Sequence, residues 1–144
     1  MQIRPYLTFK GECQEAIELY KKAFKIEDSE IMRFSDMPEN PENPMPIPDS
    51  QKNWILQATL PFGDNIIRMS DTFRELNDTP TERISIVVES TAEIINYAFD
   101  ILAEDGNVKM PLQETFFSPR YGIVKDKFGI MWNLAAWQEE GHAK

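Results

Sequence analysis

This 144-residue chain is short of cysteine, histidine, basic residues and long apolar runs, and each shortage excludes a class of function. Its one cysteine, Cys13, cannot form an internal disulfide. With no histidine near it in sequence to activate the thiol, Cys13 reads as a small packing residue close to the start of a helix. The one histidine, His142, falls in the polar tail Gln138–Lys144, where fraying is expected, so a buried histidine base or a histidine-rich metal cage is nearly closed off. No apolar stretch approaches the roughly 18 residues a membrane span needs. The start Met1-Gln2-Ile3-Arg4-Pro5 has no leader pattern, which gives the expectation of no membrane partner and a cytoplasmic address. Lys and Arg number 15 against 24 Asp and Glu, and a net charge of −9 argues against a nucleic-acid partner.

What is present suits one globular core: 42% hydrophobic and 27% charged residues at ordinary single-domain length. Ala16, Leu19, Tyr20, Ala23 and Phe24 recur at helical spacing and predict an amphipathic helix over 12–24. Around it, 3–9, 30–34, 54–60 and 66–70 read as strands, with Pro61 to Asn65 as the turn between the last two. The order then repeats. A strand at 83–88 leads into a capping box, Ser90-Thr91-Ala92-Glu93, and a helix to about 105 with Ile95, Ala98, Phe99 and Leu102 as its buried stripe. Gly106 is expected to supply the left-handed residue that ends it. Strands follow at 107–110, 121–125 and 130–134, the last two joined by Asp126-Lys127-Phe128-Gly129 with the glycine at positive φ.

The reading is therefore α+β, two βαβββ modules: module one about 1–71, a polar linker 72–82 carrying Pro80, module two about 83–137, then the tail 138–144. Each is too small to bury both faces of a four-stranded sheet, so the two are expected to pack together. Prolines 38, 41, 44, 46 and 48 forbid regular structure across 35–52, leaving a lid, an interface or a disordered insertion as alternatives.

The run Pro5-Tyr6-Leu7-Thr8-Phe9-Lys10-Gly11, with Glu15-Ala16 and Leu19-Tyr20, resembles the opening of PhnB-like proteins in the glyoxalase, or vicinal oxygen chelate, superfamily. The longer run Met110-Pro111-Leu112-Gln113-Glu114-Thr115-Phe116-Phe117, then Tyr121 to Trp132, carries the same resemblance, which covers nearly the whole chain. It implies curved mixed sheets enclosing a cleft, often completed by a homodimer, and in some members a metal that polarises a substrate oxygen. Aligned on that pattern, the ligand positions fall at Pro5, Arg83, Asn133 and Met69 or Ser70 with Asp71 nearby, and Gln57 stands where relatives often have histidine. No cofactor is expected from this set; a divalent metal is the alternative. Some relatives carry a demethylubiquinone methyltransferase label, yet the chain shows no glycine-rich strand-to-helix turn to hold a nucleotide-like cofactor.

Strand alternation makes Gln57, Arg68 and Asn133 candidate inward-facing groups, with Arg33 and Arg83 adding positive charge. Solvent-exposed arginines paired with acidic residues are the alternative reading. Gln113, Met69, Phe116, Phe117, Tyr121 and Trp132 complete the expected ligand-binding residues; the aromatics, with Trp54 beside them, and Met69 have core packing as their alternative. Phe116-Phe117-Ser118-Pro119-Arg120 interrupts strand patterning as a cleft rim or dimer contact would. The expected ligand is a small carbonyl-bearing or anionic molecule, bound without catalysis. The alternative is a lyase, isomerase or dioxygenase, metal-dependent in the superfamily's manner, with Glu114, Asp71 or Tyr121 as acid or base.

Overall fold

The computed structural model describes residues 1–38, 41–42, 46–77 and 82–138. Contacts divide the chain into two units, Met1–Glu18 with Ile26–Asn77, and Leu19–Lys25 with Asp78–Lys144. The boundary cuts through helix α1 (Cys13–Phe24), whose second half belongs to the second unit.

In the first unit, strands β1 (Tyr6–Phe9), β2 (Glu30–Arg33), β3 (Ile55–Phe62) and β4 (Asn65–Asp71) form a mixed sheet in the order β1-β4-β3-β2. Only the β1–β4 pair is parallel, as a crossover through a helix requires. Ala58, Leu60, Ile67 and Met69 are buried on one face, and Cys13, Ala16 and Ile17 of α1 are buried too. Each such large side chain contributes about 1.5–3 kcal/mol by leaving water. The turn expected over 61–65 contracts to Gly63-Asp64, because Phe62 and Asn65 are already paired. Gly63 has φ +60°, the left-handed geometry a two-residue hairpin demands. Pro61 is tolerated within β3 because β2 pairs only as far as Thr59, so β3 is an edge by then. The expected strands at 3–9 and 30–34 shrink to β1 and β2, with Phe34 opening a 3-10 turn, Phe34–Asp36.

The second unit repeats the topology. Strands β5 (Ile86–Ser90), β6 (Asn107–Gln113), β7 (Tyr121–Lys125) and β8 (Met131–Ala136) lie in the order β5-β8-β7-β6, again with one parallel pair, β5–β8. Among the described residues both sheets are open, each with two edge strands. Helix α2 (Ala92–Ala103) buries the expected stripe of Ile95, Ala98, Phe99 and Leu102. Its cap is Thr91, whose hydroxyl accepts from the Ile94 amide, not Ser90, which is still paired in β5 opposite Ala136. Its end also differs from expectation: Asp105, at φ +58°, is the left-handed residue, while Gly106 answers a close approach. A Cβ there would lie 2.6 Å from the Lys125 carbonyl and 2.7 Å from that of Leu102. Gly129 does adopt positive φ, +91°. β6 runs three residues beyond the expected 107–110, through Pro111, which an edge strand with register shifts accommodates.

Two buried aspartates organise the units. The Asp71 carboxylate accepts from the backbone amides of Gly11 (2.8 Å), Cys13 (3.0 Å) and Ile55 (3.0 Å), fixing the start of α1 and of β3 to the end of β4. In the second unit Asp126, 2% exposed, accepts from the amides of Phe128 and Ile130, the Tyr20 hydroxyl (2.6 Å) and the Trp132 indole (2.9 Å). Trp132 is also flanked by the Tyr20 and Phe24 rings. Sequence patterning assigned Asp126 only to a hairpin turn.

No helix among the described residues is long and apolar enough to cross a membrane. The expected roles of Pro44, Pro80 and His142 fall outside the described residues.

Candidate functional site

Residues opposite one another in a ladder share a face, so strand register decides which candidates come together. In the second unit, Gly122, Val124, Trp132 and Leu134 lie on the buried face, where Phe99 of α2 approaches to 2.9 Å from the position a Gly122 Cβ would take. The other face carries Val87, Asn133, Ile123 and Met110 in one row, and Glu89, Ala135, Tyr121 and Gln113 in the next. Three expected residues, Gln113, Tyr121 and Asn133, therefore share one surface. The Asn133 carboxamide donates to the Tyr121 hydroxyl oxygen at 2.9 Å, which leaves the tyrosine O–H free to donate elsewhere. Phe117 stands edge-on to the half-buried Tyr121, ring centroids 5.0 Å apart.

The aromatic pair is presented by a local turn. The Thr115 hydroxyl accepts from the Phe117 and Ser118 amides, and its own amide donates to the Ser118 carbonyl. Buried Ser118 then donates to the Ala136 carbonyl at 2.8 Å and anchors the turn to the end of β8. Phe116 is left 95% exposed and Phe117 49%. Glu114, just past β6, lies in an open groove of about 830 Å³ with Phe116 and Trp137, and not in the Tyr121 rows.

In the first unit the face opposite the buried one carries Tyr6, Arg68, Thr59 and Glu30 in one row, with Thr8 beside Ser70 and Gln57 beside Met32. Tyr6 donates to the Ser70 hydroxyl at 3.0 Å, and Arg68 donates to Thr59 at 3.2 Å. Gln57 and Arg68 thus share a face, as expected. Tyr6 and Thr59 were missed as site residues, although their alternation with Leu7 and Ala58 was the available signal.

Several expectations fail. Met69 and Trp132 are fully buried on the opposite faces of their sheets and pack the core. Asp71 is 5% exposed, its carboxylate committed to three backbone amides, so it is an anchor and not an acid or base. Arg83 is exposed and lies ahead of β5, because ladder pairing begins only at Ile86. Arg33 is held by Gln14 (2.6 Å) and the Asn53 carbonyl (2.8 Å), a structural role. Trp54 packs on Phe73, which also meets Phe34. Cys13 is fully buried; burial, reinforced by the Asp71 charge against the opposing Arg33, pushes its thiol up to about 12.

As a donor set for a divalent ion the aligned positions fit poorly. Pro5 offers no side-chain donor, Met69 and Asp71 belong to the buried side of their sheet, and Arg83 is a cation. Among the described residues no three His, Cys, Asp or Glu side chains gather into a group able to hold a metal.

Two four-stranded mixed sheets, each threaded β-α-β-β-β, give this chain the glyoxalase, or vicinal oxygen chelate, fold; a glyoxalase-related enzyme from Fulvimarina pelagi shares it at 14% identity and a TM-score of 0.57, covering 94% and 88% of the two chains. The chain belongs to the family described as 3-demethylubiquinone-9 3-methyltransferase, whose model matches residues 1–135. It is similar to Protein YjdN of Escherichia coli (strain K12), 31% identical over 141 residues that cover 93% of this chain and 94% of that one. Among solved structures it resembles protein PA1353 from Pseudomonas aeruginosa, at 30% identity and TM-score 0.77, covering 94% and 97% of the two chains. It also resembles a putative 3-demethylubiquinone-9 3-methyltransferase, PhnB protein, from Bacillus cereus, at 29% identity and TM-score 0.72, covering 94% and 99%. The PhnB-like resemblance read from the two sequence runs stands.

Proposed function

We propose that this protein binds a small organic molecule through a carbonyl or anionic oxygen that accepts from the Tyr121 hydroxyl. The carrying observation is that Asn133 donates to the Tyr121 oxygen, which orients the phenol and leaves its O–H as a donor on a half-buried face of mostly apolar neighbours. Phe117 supplies an aromatic border at 5.0 Å. On the first unit's own face, Arg68 and the Tyr6–Ser70 pair offer a positive charge and hydroxyls of the kind an oxyanion favours. A bound nucleotide-like cofactor is not part of this reading. The strand-to-helix turn before α1 presents amides of Gly11 and Cys13, but Asp71 already takes both. We place the protein in the cytoplasm as a homodimer, its open sheet edges being the motive for pairing; sedimentation is expected to return twice the 16.7 kDa of one chain.

A thermal-shift screen of small carboxylates, ketones and aldehydes, followed by calorimetric titration of the best compound, tests the binding reading. A hydrogen bond to a charged acceptor contributes about 1.5–3 kcal/mol, so Tyr121→Phe is expected to weaken an anionic ligand roughly 10- to 100-fold without lowering the melting temperature. Equal affinity of the variant, or no saturable ligand in the screen, refutes it. Stoichiometric Ni, Zn, Mn or Fe that stabilises the purified protein would instead favour the metal-dependent enzyme.

A further inference from the structure

The groove that contains Glu114 is separate from the Tyr121 rows and differs from them in chemistry. Its walls come from the start of α2, the Thr115 turn and the residues just after β8, and they include Glu93, Glu114, Phe116, Ser118, Pro119 and Trp137. At about 830 Å³ it lies within the size range of small-molecule sites. Among the described residues the lining holds two carboxylates and no lysine or arginine. Neither carboxylate has a hydrogen-bond or ion-pair partner among the described residues.

Three further observations bear on the sign of the ligand's charge. The positive end of α2 contributes to one wall, but Thr91 already accepts from the Ile94 amide and Glu93 sits in the first turn, so that end is answered from within the helix. The neighbouring cation, Arg120, is not part of the lining and is held by Asn96 through its Nε at 3.0 Å. The aromatic walls are accessible: Phe116 is 95% exposed and Trp137 40%. Carboxylates beside solvent-accessible aromatic rings attract a cation twice, by charge and by the ring quadrupole.

We propose that this groove is a binding site for an organic cation, an alkyl- or aryl-ammonium compound, whose charged head meets Glu93 and Glu114 while its apolar part lies against Phe116 and Trp137. A bare metal ion would not use the aromatic walls, and an anion would meet two carboxylates.

The probe is benzyltrimethylammonium chloride, titrated calorimetrically against the full chain, with benzyl alcohol and benzenesulfonate as uncharged and anionic comparators. We expect saturable binding of the cation alone, on the order of 1 mM, weakening as sodium chloride is raised. Glu93→Gln combined with Glu114→Gln is expected to weaken it by roughly tenfold, and Phe116→Ala by about two- to fivefold, the size of one exposed cation–π contact. All three positions are exposed, so melting temperatures should be unchanged. Tyr121→Phe should leave the cation's affinity as it is. No saturable binding, equal binding of benzyl alcohol, full affinity in the double glutamine variant, or loss of binding in Tyr121→Phe would each overturn the proposal.

Discussion

Replacing Asp126 by asparagine tests whether one buried carboxylate holds the second unit together. Oδ1 accepts the Phe128 and Ile130 amides at 2.9 and 3.0 Å; Oδ2 accepts the Tyr20 hydroxyl at 2.6 Å and the Trp132 indole at 2.9 Å. An asparagine must turn its NH2 toward one of these two pairs, and every group there is a donor. With the NH2 toward the aromatic pair, the Tyr20 hydroxyl can rotate, but the Trp132 N–H cannot, and at 0% exposure it finds no water. A hydrogen bond to a charged acceptor contributes about 1.5–3 kcal/mol, and a buried donor left unsatisfied costs about 1–3 kcal/mol. Removing the buried charge returns part of this, because the carboxylate no longer has to be desolvated. The net expectation is a loss of about 3–4 kcal/mol, a large share of the roughly 5–15 kcal/mol of a whole domain. Urea unfolding followed by tryptophan fluorescence should show it as a lower midpoint at unchanged slope, and the melting temperature should fall by about 10 °C. Tyr20→Phe removes one donor and leaves the acceptor three partners, so its cost should be smaller, about 1–2 kcal/mol. A loss under about 1 kcal/mol for Asp126→Asn would refute the assignment of Asp126 as the organising residue.

Two other expectations follow from buried or crowded positions. Cys13, its pKa raised from 9.0 to about 12, should resist iodoacetamide at pH 8 in the native protein and react freely in urea. Because the unfolded thiol ionises first, it binds fewer protons than the folded one above pH 9, so stability should fall from about pH 9 to about pH 12; the stability difference from Cys13→Ala should shrink over that window. Gly106→Ala should cost more than about 2 kcal/mol in urea unfolding, since a Cβ meets two carbonyl oxygens closer than 3 Å. Gly63→Ala, at φ +60° with nothing within 4 Å, should cost only about 1 kcal/mol; equal costs would contradict the close approach.

Periodicity made both helices, the buried stripe of α2 and the doubled β-α-β-β-β order legible, because amphipathic spacing and turn residues are written locally. Alternation also put Gln57 and Arg68 on one face of the first sheet and Asn133 on the face of the second that turns away from its buried side. Local signals could not assign strand ends. Pro61 and Pro111 read as breakers, yet each lies in a strand where no neighbouring ladder needs its N–H, and that depends on where another strand stops or on which strand is the edge. Nor could they separate a core aromatic from a rim aromatic: Trp132 is fully buried against Tyr20 while Phe116 is 95% exposed, and the difference is made by a Thr115 turn and by a partner 112 residues away.

The sequence by itself determined which elements form, in what order, and which polar side chains alternate away from the core. Tertiary structure alone decided what the carboxylates do: Asp71 and Asp126 are spent on amides, a phenol and an indole brought to them from other elements, while Glu93 and Glu114 line one groove with no partner among the described residues. The physical reason is that a carboxylate's role depends on which donors surround it, and those donors come from residues far apart along the chain.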